Sequence, residues 1–163
     1  WRIFINRKTL MITTKPNQLA LGLACLTIII ALLSEHIGGL VPCDLCLKQR
    51  IAYYIGIPVL IIACWQSFTW RPLAARLGGL IFLASAAFGF FHAGVEYGFW
   101  DGPSTCRQAI VMPDSIDDLE AMLSQAVVSC SEPAFVLFGI SMAGYNFLVS
   151  MLIAILSWRG RNQ

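Results

Sequence analysis

Four long apolar stretches without any charged residue follow one another along the chain, at 16–34, 51–70, 77–95 and 133–158. Each reaches the roughly 18 residues that a helix needs to cross a hydrocarbon core about 30 Å thick. Apolar residues occupy every face of the helices that these stretches predict, whereas a helix of a soluble protein keeps a polar face. The pattern predicts an all-α membrane protein, a bundle of four transmembrane helices whose first and third loops share one side of the membrane.

The overall composition agrees with this prediction. Hydrophobic residues make up 58% of the chain and charged residues only 12%, against about 25% charged residues in an ordinary soluble domain. Too few polar side chains remain to cover the surface of a soluble monomer. The apolar content also excludes a disordered chain, and a net charge of +2 gives no basic surface for nucleic acid.

The distribution of charge predicts how the bundle is oriented. The N-terminal tail, the connection around 71–76 and the C-terminus together carry eight Lys and Arg residues and no acid. The two other loops carry Lys48, Arg50 and Arg107 together with all nine carboxylates. Because basic residues stay on the cytoplasmic side, both termini are predicted to be cytoplasmic and the two acidic loops to be exported.

A single domain accounts for most of the chain. We expect a cytoplasmic N-tail at 1–18, one four-helix transmembrane domain at 19–158 and a cytoplasmic C-tail at 159–163. Residues 1–10 precede Met11, a natural start, and are interpreted as an extension without a function. The first apolar stretch is long and lacks a small-residue cleavage site, so it is expected to remain as an anchor.

The six cysteines separate by location. Cys25 and Cys64 lie within apolar stretches, where a free thiol behaves as a small hydrophobic group. The others all lie in the loops predicted to be exported, and they are Cys43, Cys46, Cys106 and Cys130. This distribution suits an oxidising compartment and disulfide chemistry.

The first exported loop contains the motif PCDLC at 42–46. A disulfide across so small a ring removes little chain entropy, so its reactivity matters more than its stability. Pro42 places the pair in the first turn of the second helix, where backbone N–H groups and the helix dipole favour a thiolate. Arg50, four residues after Cys46, lies one turn deeper on the same face and can stabilise a thiolate or an anionic electron acceptor.

Other readings of these residues remain open. Arg50 can simply extend to the membrane interface, and the cysteines can form a structural disulfide. Half of a zinc site is disfavoured because only two further exported cysteines exist and no His-x-x-His spacing accompanies them, so no metal site is predicted. His36, His92, Glu35 and Glu96 near the exported helix ends can form a proton route, contact a ligand or anchor the helices.

The second exported loop, about 97–132, is too long for a simple connection. A capping-box pattern at Ser115 and Asp118 precedes apolar residues at helical spacing up to Val127. This predicts a short amphipathic helix lying on the membrane surface through its apolar face. A disulfide between Cys106 and Cys130 would enclose this helix and stabilise the fold by about 3 kcal/mol, and a purely structural role for it remains open.

Two exported cysteine pairs, one in a loop and one at the membrane surface, suggest a thiol–disulfide relay. The loop pair can reach a soluble partner, and the Cys-x-x-Cys pair can reach a lipid-soluble acceptor such as a quinone. No dinucleotide, flavin or nucleotide-binding fingerprint is found. With Arg50 following PCDLC and the segment SMAGYN at 141–146, residues 19–158 resemble the disulfide bond formation protein B (DsbB) family, as a shorter member.

The resemblance implies a bacterial inner-membrane enzyme with periplasmic loops, a quinone-dependent protein-disulfide oxidoreductase. Its partner would be a periplasmic thioredoxin-like oxidase (DsbA-like), and its cofactor ubiquinone or menaquinone. Cys106 resembles the cysteine that the partner attacks, and Cys130 resembles its disulfide partner. Cys43 resembles the cysteine that exchanges with the loop pair.

The resemblance also implies a quinone site. Cys46 resembles the cysteine whose thiolate contacts the quinone, and Arg50 resembles the arginine of that site. His92 and Glu96 fall in a region where the family has polar residues near the quinone.

Three alternatives come from other classes. A relay like vitamin K epoxide reductase also uses four helices, but its Cys-x-x-Cys normally lies near the last helix. A non-catalytic membrane scaffold would use the cysteines only as structural disulfides. A metal transporter is disfavoured because no carboxylate or histidine lies in mid-membrane.

Overall fold

Four long helices dominate the structure, a computed structural model that describes residues 16–65, 69–103, 106 and 129–160. They are α1 (Pro16–His36), α2 (Asp44–Cys64), α3 (Arg71–Glu96) and α4 (Met142–Gly160), and each is long and apolar enough to cross a membrane. The predicted fold class, a four-helix membrane bundle, is confirmed. The amphipathic helix predicted around Ser115–Val127 lies outside the described residues.

The helix boundaries differ from the charge-free stretches because charged residues occupy helix ends. α2 begins at Asp44 rather than at 51, since Cys43 caps it and Asp44 complements the positive end of the helix dipole. α3 begins at Arg71 rather than at 77, with a proline in its first turn. Both helices therefore begin before their charge-free stretches, and the start of α2 agrees with the position that Pro42 and the cysteine pair predicted.

A β-hairpin replaces the predicted first turns of the fourth helix. Its strands are β1 (Val136–Leu137) and β2 (Ile140–Ser141), joined by a two-residue turn in which Phe138 and Gly139 both have positive φ. The Tyr97 hydroxyl, at the end of α3, donates to the Gly139 carbonyl at 2.8 Å and accepts from the Ser141 N–H at 3.0 Å. The prediction of helix from 133 onward was wrong because the turn residues lie inside an apolar run.

Close helix contacts depend on glycines that face neighbouring helices. α3 packs against both α2 and α4, and α1 packs against the same two helices. A Cβ added at Gly89 of α3 would lie 3.0 Å from the Phe147 backbone nitrogen of α4. Small residues let membrane helices approach this closely, which replaces the hydrophobic driving force available in water.

We expect Gly89→Val to lower the stability of the bundle by about 1–3 kcal/mol, because the new methyl groups collide with α4 backbone that cannot move aside. The measurement is the thermal unfolding midpoint of the purified protein in detergent. Gly22→Val is the matched control, since it changes helix propensity in the same way but a Cβ there meets nothing within 4 Å. Equal midpoints for the two variants would contradict the proposed contact.

Polar side chains inside the bundle are paired across helices. The Tyr53 hydroxyl of α2 donates to Asn146 Oδ1 of α4 at 2.6 Å and lies 3.1 Å from Ser150 Oγ. Ser85 of α3 lies 3.1 Å from the same Ser150 oxygen. These bonds link three helices below the cysteines. The sequence analysis did not predict them, because the side chains involved are uncharged.

Candidate active site

The Cys-x-x-Cys pair forms the N-terminus of α2. Cys43 has an extended backbone and serves as the N-cap, and its Sγ accepts the Cys46 backbone N–H at 3.3 Å. The two Sγ atoms also lie within hydrogen-bond distance of each other, 3.0 Å apart. Sulfur here takes the place of the side-chain oxygen that usually caps a helix. Both cysteines are free thiols.

His92 of α3 reaches this pair from across the bundle. Its ring is completely buried, and its Nε2 lies 3.5 Å from Cys43 Sγ. The Gln49 side-chain nitrogen lies 3.1 Å from His92 Nδ1. Because an amide nitrogen only donates, Nδ1 accepts and the ring proton of neutral His92 is on Nε2, facing the sulfur.

Hydrogen-bond donors therefore converge on Cys43. The Cys46 thiol contributes most, followed by the His92 ring and the Cys46 backbone N–H. Together they lower the pKa of the Cys43 thiol to about 4, although burial of the sulfur opposes the change. When both cysteines are reduced, the surroundings stabilise the thiolate of Cys43. The resemblance implies that the Cys46 thiolate contacts a quinone, and that role stays a prediction.

Glu96 lies one turn beyond His92 and faces the same cluster. Its side chain is 5% exposed, and Oε1 is 3.8 Å from His92 Nε2. Its other oxygen, Oε2, is buried and has no hydrogen-bond partner among the described residues. We call Cys43, Cys46, Gln49, His92 and Glu96 the redox cluster. The donor atoms of its two cysteines and its histidine all lie within 4.8 Å of one another, close enough to share a metal ion.

Arg50 points away from the cysteines and toward α1. Its guanidinium forms an ion pair with Glu35, and Nη2 donates to the Ala31 carbonyl at 3.5 Å. The structure thus pairs two of the residues that the sequence singled out, while His36 is exposed at the end of α1. The contact fixes the end of α1 against α2, one turn from Cys46.

The second cysteine pair packs beside the first. Cys106 and Cys130 form a disulfide, with their Cα atoms 5.2 Å apart. Both are buried in one apolar cluster with Cys43, Leu45 and Val95. An open cleft of about 400 Å³, lined by Phe99, Trp100, Cys106 and Ser131 among others, adjoins the disulfide. The four cysteines outside the helix interiors are therefore neighbours, although 63 positions separate Cys43 from Cys106.

Comparison with known proteins agrees with this arrangement. A family model described as "Disulfide bond formation protein DsbB" matches residues 15–159. The chain belongs to the DsbB family. It is accordingly a multi-pass membrane protein of disulfide-bond formation, as the sequence motif indicated.

Individual relatives show moderate identity to this DsbB-family chain. An uncharacterised protein of Rickettsia prowazekii is 30% identical over 93% of this chain and 92% of its own length. "Disulfide bond formation protein B 2" of Pseudomonas syringae pv. syringae is 29% identical, and the protein of the same name in Pseudomonas savastanoi pv. phaseolicola is 31% identical. Each of these two alignments covers 83% of this chain and 81% of the relative. No solved structure matches the chain significantly.

The structure brings His92 and Glu96 to the cysteines, but it does not place Arg50 in contact with them. Gln49, which orients His92, was missed by the sequence analysis. Its only signal was an uncharged amide between Lys48 and Arg50 in the first turns of α2. The free thiols Cys25 and Cys64 lie in α1 and α2, outside the redox cluster.

Proposed function

We propose that this DsbB-family protein reoxidises a periplasmic thioredoxin-like oxidase (DsbA-like) and passes two electrons to a membrane quinone, ubiquinone or menaquinone. It would act in the bacterial inner membrane with both termini in the cytoplasm. The observation that carries the proposal is the packing of a disulfide, Cys106–Cys130, against a dithiol whose Cys43 sulfur accepts several hydrogen bonds.

The first exchange takes place at the loop disulfide. A thiolate of the reduced partner attacks the Cys106 sulfur, a mixed disulfide forms, and Cys130 leaves as a thiolate. The partner's second thiolate then attacks the mixed disulfide, which releases the oxidised partner and leaves Cys106 and Cys130 reduced. The cleft supports this order, because Cys106 is one of the residues that line it.

The second exchange moves the electron pair within the protein. A loop thiolate attacks Cys43 in the oxidised Cys43–Cys46 pair, and Cys46 becomes the leaving thiolate. A second loop thiolate resolves this bond, which restores Cys106–Cys130 and leaves Cys43 and Cys46 reduced. The contact of a loop disulfide with a pair of free thiols supports this step.

The residues beside Cys46 suit a quinone. The His92 N–H can donate to a quinone carbonyl, and Glu96 Oε2, buried and without a hydrogen-bond partner among the described residues, can do so when it carries a proton. Cys46 is only partly buried. When bound, a quinone accepts the two electrons and two protons released as Cys43 and Cys46 form a disulfide. His92 and Glu96 would hold or pass a proton at Nε2 and Oε2, and Arg50, held by its ion pair with Glu35, would offer its cation to the quinone.

The experiment that tests this function is reduction of a soluble quinone analogue by the purified protein. A reduced thioredoxin-like oxidase is the electron donor, and the loss of quinone absorbance is followed. We expect turnover that depends on both protein and donor. Absence of turnover with a correctly folded protein would favour the scaffold alternative, in which the cysteines are only structural. The cysteine pair lies at the start of α2. This position disfavours a relay like vitamin K epoxide reductase, whose pair normally lies near the last helix.

The role of Arg50 can be separated from that of its partner. We expect Arg50→Ala to raise the KM for the quinone analogue about tenfold, with a smaller change in kcat, if the cation itself contacts the quinone. Glu35→Gln is the matched control, because it removes the same ion pair but keeps the cation. Equal losses in the two variants would mean that Arg50 acts only by holding α1 against α2.

A further inference from the structure

We propose that the reduced protein binds one Zn²⁺ ion, or a similar divalent ion, through Cys43, Cys46 and His92, with Glu96 as the fourth ligand. The metal-bound protein does not transfer electrons. The proposal goes beyond the proposed function, because it requires only that the Cys43–Cys46 pair be reduced. It uses no quinone and no partner protein.

The three closest donor atoms already have suitable separations. The two sulfurs are 3.0 Å apart, and Cys43 Sγ is 3.5 Å from His92 Nε2. Zinc bonds of about 2.3 Å to sulfur and 2.0–2.1 Å to nitrogen place two ligands of a tetrahedral ion roughly 3.3–3.8 Å apart. Small side-chain rotations are therefore enough to bring all three atoms onto one ion.

Glu96 supplies the second, independent observation. Its side chain is nearly fully buried, Oε1 is 3.8 Å from His92 Nε2, and Oε2 has no hydrogen-bond partner among the described residues. A buried carboxylate oxygen without a partner is costly. A cation at this point satisfies that oxygen, and two thiolates, an imidazole and a carboxylate form a set that suits zinc.

Gln49 completes the surroundings of the site. A histidine that binds a metal through Nε2 carries its proton on Nδ1 and donates it to an acceptor. The Gln49 amide lies 3.1 Å from Nδ1. Rotation of that amide by half a turn replaces its nitrogen with its oxygen at the same place, so the histidine can change from the dithiol arrangement to the metal-bound one without moving.

Oxidation state controls access to this site. Thiolates bind zinc, whereas the sulfurs of a disulfide have no charge to offer, so only the reduced pair forms the site. Binding releases to the solvent the protons that the two sulfurs still carry, and the His92 ring proton moves from Nε2 to Nδ1. Because both sulfurs are then held as ligands, neither is free to form the disulfide, and the reduced protein is blocked.

The sequence disfavoured zinc because no exported His-x-x-His spacing accompanies the cysteines. The third ligand instead comes from α3, 49 residues after Cys43, and the fourth lies one turn further along α3. The site therefore depends on the packing of α2 against α3 rather than on a local motif. It joins residues that the proposed electron transfer also uses, which makes the metal an inhibitor rather than a cofactor.

The experiment is a direct titration of the metal with the purified full chain in detergent. The protein is reduced, freed of reductant without air, and titrated with Zn²⁺ in competition with a chromophoric chelator. Cd²⁺ is used in parallel, because its bonds to thiolates absorb in the ultraviolet. We expect one ion per reduced chain and none at this site after oxidation of Cys43 and Cys46 with a diamide reagent.

Variants identify the ligands. We expect His92→Ala and Glu96→Gln each to weaken binding tenfold or more, while Cys25→Ser and Cys64→Ser bind as the wild type does. Circular dichroism and the thermal midpoint verify that each variant is folded. Wild-type affinity in folded His92→Ala, or equal binding by oxidised and reduced protein, would overturn the proposal.

The two assays distinguish a failure of the zinc site from a failure of the proposed electron transfer. Binding is measured without donor or quinone, and quinone reduction is measured with a chelator present. Metal binding without turnover would contradict only the electron-transfer function. Turnover without metal binding would contradict only the zinc site, and addition of Zn²⁺ to an active preparation should stop turnover reversibly.

Discussion

We expect replacement of Cys46 with serine to lower the proposed quinone reduction by the purified protein at least about 100-fold in rate. The reason is stoichiometric, because Cys43 without Cys46 has no partner with which to form the disulfide that releases two electrons. The serine oxygen is similar in size and keeps the first turn of α2 intact. The measurement is the thiol-dependent loss of absorbance of a soluble quinone analogue.

Cys64→Ser is the matched control for this change. It removes a free thiol from the same helix, α2, at a position far from the redox cluster. We expect it to retain nearly the full rate. Substantial turnover by Cys46→Ser would remove the basis for assigning the electron-transfer step to the Cys43–Cys46 pair.

The second large effect concerns the two loop cysteines. We expect Cys106, left alone in Cys130→Ser, to form a mixed disulfide with the partner about tenfold faster than Cys130 does in Cys106→Ser. Cys106 lines the cleft and is 9% exposed, whereas Cys130 does not line it and is 1% exposed. Access to the sulfur is one of the factors that set the rate of thiol–disulfide exchange.

The measurement uses a partner whose single cysteine carries a chromophoric thiol as a leaving group. Attack by the loop thiolate forms the mixed disulfide and releases the chromophore, which gives the rate directly. A non-reducing gel then identifies the covalent complex. Equal rates for the two variants would show that the cleft does not direct the partner to Cys106, and that the assignment of the two roles needs revision.

The membrane fold could be predicted because the length and the lack of charge of each spanning helix are visible in the sequence of that helix alone. Long stretches without charge are sufficient to locate spans, but charged residues such as Arg71 belong to the helix ends and moved the boundaries. The hairpin at 136–141 was not predicted, since its short strands read as part of an apolar helix. Its turn required positive φ at Phe138, a conformation that the residue type does not indicate.

The candidate site could be predicted only as far as its local motif extends. PCDLC located Cys43 and Cys46, because their function depends on spacing within one helical turn. The contact between Cys43 and His92 and the one between Gln49 and His92 each cross from α2 to α3. Such contacts depend on how the helices are rotated against each other, which the spacing of residues along one helix does not specify.

The hydrogen bonds from Tyr97 to the hairpin have a consequence for the loop chemistry. They join the end of α3 to the start of α4, and Cys130 lies only six residues before Val136 of the hairpin. When the Cys106–Cys130 bond opens, a tether this short keeps the Cys130 thiol near Cys43. The effective concentration of that thiol at the first pair is then in the millimolar range or above, as is typical of short linkers. Exchange between the pairs becomes an intramolecular reaction whose rate does not depend on how much protein the membrane contains.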